Sequence, residues 1–274
     1  MYLTARQTRL LAELLDHLTS NFDSHDVRVQ IGFDLLELLD ADYFASFVWD
    51  AERQRFADRI AINMDEANLR NYDFYYQFHD PITHKLQQRR EPTLVNEIMP
   101  QEDLIRTEFF NDFLARDGLY WGVNLYAYDG DRNIGDLRIW RARHRENFNE
   151  ETVELLRILK PAFTNALKNA TPRQPFTREP GGRFLCAATG LGLTAREADV
   201  AALVAQGLTD KDIARSLNMA FSTVRTHVQS LFAKLRVHSR SALCGVLLTR
   251  ARAGLVGPRH SQDQPSPTGS AKSR

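Results

Sequence analysis

The chain has 274 residues, 43% of them hydrophobic, with 35 Lys and Arg balanced by 35 Asp and Glu. That length and composition allow a sizeable core and suggest two domains, not a disordered or fibrous chain. No apolar run approaches the ~18–20 residues needed to cross a bilayer. The charged, amphipathic start does not read as a secretory signal, and Cys186 and Cys244 show neither metal spacing nor a disulfide framework, so a soluble cytoplasmic protein with no membrane partner is expected.

In chain order, residues 4–18 are predicted helical, with Leu10, Leu11, Leu14, Leu15 and Leu18 on one stripe. A second helix over 27–39 turns Val29, Phe33, Leu36 and Leu39 inward. Residues 43–49 are aromatic and β-prone, a predicted strand with 55–62 as its hairpin partner. Helix follows over 65–78, stopped ahead of Pro81, then a short strand at 93–95 and a short helix over 108–116 that ends at Gly118. The clearest strands are 120–128 and 134–141, with Asp129-Gly130-Asp131 as the hairpin signal between them. A last helix over 150–168 carries Val153, Leu156, Leu159, Phe163 and Leu167 at helical spacing, with Pro161 as a kink point. Helices enclosing mostly antiparallel strands make residues 1–170 an α+β domain. Residues 171–189, with Pro172, Pro175, Pro180, Gly181 and Gly182, read as a linker.

Residues 190–255 read as an all-α domain of four short helices. Thr194 with Glu197, and Thr209 with Asp212, have the spacing of helix-capping pairs. Gly207 ends the first helix and Asn218 suits the turn after the second. A third helix over 221–235 places Val224, Val228, Leu231 and Leu235 on one face, and a fourth runs over 241–248. The second and third helices, about 209–228, form a helix-turn-helix, whose second helix can lie in the DNA major groove. From 213 to 258 there are seven Lys or Arg and no Asp or Glu. Beyond Gly192 there are 12 basic and five acidic residues, so that part carries +7 and the first 192 residues −7. This asymmetry is the electrostatic footprint of a DNA-binding module beside an acidic domain. The tail over 256–274 is polar and predicted to be disordered.

Leu193-Thr194-x-Arg196-Glu197, Gly207-x-x-x-Lys211-Asp212-Ile213-Ala214, Thr223-Val224-Arg225-Thr226-His227 and Lys234-Leu235-x-Val237-x-x-Arg240 occur in that order. The stretch resembles the C-terminal DNA-binding domain of LuxR-type transcription regulators. One departure is Ala220, where the family carries Ser or Thr at the start of the third helix; Ser222 is expected to take over the cap. The resemblance implies that Arg225, Thr226 and Gln229 face base edges, while Lys211, Thr223, His227 and Lys234 face phosphates. It also implies that the fourth helix pairs two DNA-binding domains through Leu243, Val246 and Leu247, the other reading being that these residues pack beneath the third helix. Double-stranded DNA and a second copy of the chain are the expected partners.

The order of elements in the first domain resembles the GAF/PAS-like sensor domain of such regulators. Asp80-Pro81, then residues 108–114 (EFFNDFL) and Gly118, carry that likeness. A small-molecule pocket is expected among Trp49, Tyr72, Tyr76, Trp121 and Tyr126, against the plainer reading of an aromatic core. Lactone-binding members carry a Trp and a Tyr before the Asp-Pro pair and a second Trp fifteen residues after the Asp; here those positions are Ala67, Asn71 and Val95. An acyl-homoserine lactone is therefore not expected. The sensed ligand stays unnamed, or the domain only dimerises. A phosphorylated receiver is rejected, because the chain begins with a helix and Lys160-Pro161 falls inside one. An enzyme is not expected either: His79 and His84 lack zinc-protease spacing, and Glu97, Glu102 and Asp103 sit in a polar loop. No cofactor and no metal are anticipated.

Overall fold

A computed structural model of the chain describes residues 3–20, 22–170 and 191–253. The predicted linker over 171–189 and the polar tail over 256–274 lie outside the described residues. Helix α1 (Ala5–Thr19) starts at a capping box between Thr4 and Gln7, and α2 (Ser24–Leu38) starts where Asp23 accepts the Asp26 amide. Strands β1 (Tyr43–Asp50) and β2 (Arg55–Ile62) follow as an antiparallel pair. The next stretch is a series of short helices: α3 (Glu66–Asn71), α4 (Gln77–His79), α5 (Thr83–Arg89), α6 (Val95–Ile98), α7 (Gln101–Leu104) and α8 (Ala115–Asp117). The short strand β3 (Thr93–Leu94) lies among them. Then come the long hairpin β4 (Leu119–Asp129) and β5 (Arg132–Ala142) and the helix α9 (Glu150–Lys168), with Pro161 inside it.

The five strands form one antiparallel sheet in the order β2-β1-β5-β4-β3. Alternation along β4 and β5 sends side chains into two cores. Val123, Leu125, Leu137 and Ile139 meet α1, α2 and α9 on one face. Tyr126 and Trp140 meet the short helices on the other. An antiparallel sheet with helices on both faces is the α+β arrangement the sequence predicts.

The helix expected over 65–78 is interrupted by a π-helical turn at Tyr72–Tyr76. Its cause is local: the Gln77 side chain donates to the Asp73 carbonyl and accepts the Phe56 amide at 2.9 Å, so a side chain enters the helical ladder. A second π turn lies at Phe110–Leu114.

The C-terminal unit consists of α10 (Ala195–Ala205), α11 (Asp210–Ser216), α12 (Phe221–Leu235) and α13 (Arg240–Ala253). Val200, Val204, Ile213, Val224 and Leu231 are fully buried at its centre. Helix α13 also lies against α2 of the first unit. On this helix Leu243 and Cys244 are fully buried, and Leu247 is 2% exposed. The approach depends on Gly245, where a Cβ would sit 3.2 Å from Gln30 Oε1 and 3.3 Å from His17 Nε2. Arg240 stands 5.9 Å from the Phe33 ring while donating to Asp210 and the Leu208 carbonyl of its own unit.

Candidate nucleic-acid interface

One buried carboxylate holds the C-terminal unit together. Thr194 Oγ1 accepts the Glu197 amide, and Glu197 Oε2 in return accepts the Thr194 amide at 2.7 Å, closing the capping box expected at α10. Glu197 is 4% exposed and also accepts Ser230 Oγ and Lys234 Nζ, each at 2.6 Å, from α12. Burial alone would push its carboxyl up, but the bonds from Lys234, Ser230 and Thr194 outweigh that and hold it at about 2. A carboxyl held below its ordinary value of 4.5 stabilises the fold above that pH. The C-terminal unit is therefore expected to lose stability as pH falls from 4.5 toward 2, a loss that Glu197→Gln removes. Acid titration of helical signal on both proteins checks this; parallel titration curves would refute it.

The turns behave as the residue types require. Thr209 caps α11, accepting the Asp212 amide at 3.1 Å. Gly207 has φ +85 after α10, and Asn218 has φ +50 between α11 and α12. Helix α12 starts at Ala220 with no side-chain cap. The expectation that Ser222 would supply one is not met: it lies two residues inside the helix, where its carbonyl accepts Thr226 Oγ1 at 3.0 Å. Ala220→Ser restores a cap at the right position and is expected to stabilise the unit by about 1 kcal/mol in urea unfolding. No gain would mean that the first turn is already satisfied.

Val224, Val228 and Leu231 point into the core, as their spacing predicts. Arg225, Thr226 and Gln229 are exposed on the other side of α12, with Thr223 beside them and Lys211 exposed on α11; His227 is half-buried. The outer face of α12 thus presents these side chains together. Among the described residues Arg225 pairs with no carboxylate, and its guanidinium lies 6.0 Å from the Phe221 ring. Lys234 has a role the sequence reading did not assign. Its ammonium donates to Glu197 and to the Gly192 carbonyl at 3.3 Å, which ties α12 to α10, while its side chain stays 36% exposed. Leu243 and Leu247 are a second correction: both are buried on a helix that packs against α10 and α12 of its own unit as well as α2, and Val246 is half-buried, so the two leucines are not open to a second copy in this arrangement.

In the first unit, the residues proposed for a pocket do not converge. Tyr72 lines a cavity of about 20 Å³ between the sheet and the short helices. Tyr76 and Tyr126 belong to the surrounding aromatic core, and Trp49 packs on Phe56 and His84 at its edge. Trp121 lies on the opposite face of the sheet, its Nε1 donating to the Arg145 carbonyl. Arg138 in the cavity wall belongs to a charged pair that sequence reading missed. Arg138 donates from Nε and Nη2 to Asp136 Oδ2 at 3.0 and 2.8 Å and from Nη1 to Tyr72 Oη at 2.6 Å. Its guanidinium lies 4.3 Å from both the Phe47 and Phe56 rings. Burial penalises that charge, yet the adjacent Asp136 carboxylate more than compensates and holds the guanidinium well above its ordinary value. The signal was present in the sequence: Asp136 and Arg138, two apart in an apolar strand, must share one face.

Comparison with known proteins places a family on the same stretch. Residues 191–247 match the family described as bacterial regulatory proteins, luxR family. The monoamine regulon transcriptional regulator of Klebsiella aerogenes is 43% identical over 51 residues, 19% of this chain and 22% of that protein. The nitrate/nitrite response regulator protein NarP of Escherichia coli (strain K12) is 50% identical over 50 residues, 18% of this chain and 23% of that protein. The chain thus spans less than a quarter of the length of these two relatives. A solved structure described as SdiA in complex with octanoyl-rac-glycerol is similar over 91% of this chain and 97% of its own, with 20% identity and a TM-score of 0.47. No helix among the described residues is long and apolar enough to cross a membrane.

Proposed function

We propose, from the match of residues 191–247 to the luxR family, that the chain is a sequence-specific transcription regulator whose DNA binding is controlled by its first unit. The observation that carries this reading is the exposed face of α12, with Arg225, Thr226 and Gln229 uncovered on an acid-free segment. Arg can give two hydrogen bonds to guanine, Gln can pair with adenine, and the Thr methyl suits thymine. Lys211, Thr223 and His227 are placed to meet phosphates, which fix the helix in register without reading sequence. Lys234 holds α12 on α10.

A single helix reads too few base pairs for tight specific binding, so the acting form is a homodimer on two inverted half-sites. Pairing through Leu243, Val246 and Leu247 would require α13 to leave α2. The first unit, in this reading, biases how the two DNA-binding domains are held.

The filled interior favours a second reading of the first unit. A cavity of about 20 Å³ holds roughly one water molecule and no metabolite. In that reading the first unit dimerises and binds no ligand. Native mass spectrometry of protein purified from its host separates the two, by a mass above that of the chain or the chain alone. The DNA-binding role is tested by selecting duplexes from a random library with the full chain. Two inverted copies of one short sequence are expected, and an unenriched pool would overturn it.

A further inference from the structure

The edge of α12 proposed to read DNA contains one side chain that the sequence reading passed over. Phe221 is 45% exposed, and within the described C-terminal unit it is the one large apolar residue so uncovered. It occupies the first helical position after Ala220. Phe221, Arg225 and Gln229 are spaced four apart, so they stack along one edge of the helix. The 6.0 Å between the Phe221 ring and the Arg225 guanidinium places these two neighbours side by side.

A phenyl ring left in water forgoes the stabilisation that burying it would bring, and the groups beside it are polar or cationic. No carboxylate in the segment repels a polyanion there, since residues 213–258 contain no Asp or Glu. The major groove offers one apolar group for such a ring, the C5 methyl of thymine. Residues near the N-terminus of a recognition helix are those that reach base edges. We propose that Phe221 is a specificity-determining residue that packs on a thymine methyl next to the base pair read by Arg225. This rests on the DNA-binding reading above and adds a preferred base to it.

The test uses the full chain and a duplex it has selected from a random library. A thymine is expected beside the position whose preference disappears in Arg225→Ala. Replacing that thymine by uracil removes only the methyl and is expected to weaken wild-type binding about fourfold, the value of burying one such group. Phe221→Ala is expected to bind the two duplexes equally, at the affinity of wild type for the uracil duplex. Phe221→Leu, which keeps an apolar side chain on the helix, retains part of the difference. Equal thermal unfolding of the three proteins shows that none of this reflects folding. Wild type that binds thymine and uracil duplexes alike overturns the role of Phe221 while leaving the DNA-binding reading intact, and so does a Phe221→Ala protein that keeps the full difference. A wild-type chain that selects no sequence brings down both.

Discussion

Arg225→Ala is expected to lower affinity for a selected duplex about 5- to 150-fold, the worth of one good bidentate contact at about 1–3 kcal/mol. Binding to random duplex should fall much less, because the remaining basic residues of the segment still meet the phosphates. The contrast between the two duplexes is the informative quantity. A residue that only contacts phosphate weakens both about equally and reduces the salt dependence by about one ion. Arg225 is suited to the first role because it is exposed on the outer face of α12 and no carboxylate among the described residues competes for it. Anisotropy titrations of both duplexes at fixed salt decide the matter. Equal losses on the two would remove Arg225 from base reading.

Asp136→Ala is expected to destabilise the first unit by about 3–5 kcal/mol, the usual cost of leaving one partner of a buried pair unpaired. The substitution strands the Arg138 guanidinium, 5% exposed, and removes the acceptor of the Phe47 amide, which Asp136 Oδ1 holds at 2.6 Å. Against a typical total of about 5–15 kcal/mol, that loss brings the unit close to unfolding. A double substitution, Asp136→Ala with Arg138→Met, should recover the part due to the stranded charge but not the part due to the Phe47 amide, because an apolar chain can lie beside the Phe47 and Phe56 rings where the guanidinium now lies. Trp49, Trp121 and Trp140 all belong to the first unit and are all the tryptophans of the chain, so their fluorescence during urea unfolding reports on this unit alone. A single variant within about 1 kcal/mol of wild type would show the pair to be dispensable, contrary to what its burial implies.

The elements legible in the sequence were those whose signals are local. The strand Arg55–Ile62 and the helices Phe221–Leu235 and Glu150–Lys168 fall where periodicity and turn residues place them. So do the capping pairs at Thr194 and Thr209, since partners three residues apart need no knowledge of the fold. The short helices around Thr83–Arg89 were not legible, because one or two turns show no period and their support is tertiary. Asp80, for instance, accepts the Ile82 and Thr83 amides while also meeting Tyr72. Grouping Trp121 with Tyr126 in one pocket passed over a signal that was legible: five residues apart on one strand, they must point to opposite faces. The tie between Lys234 and Glu197 was not legible because the two are 37 residues apart.

Helix α13 is counted with the C-terminal unit by sequence, yet α2 of the first unit lies along one side of it. A fragment severed between the two units would bare the side that carries Cys244 and Gly245, an adhesive strip with nothing to grip. Its behaviour at high concentration would then describe that raw edge and not the intact chain.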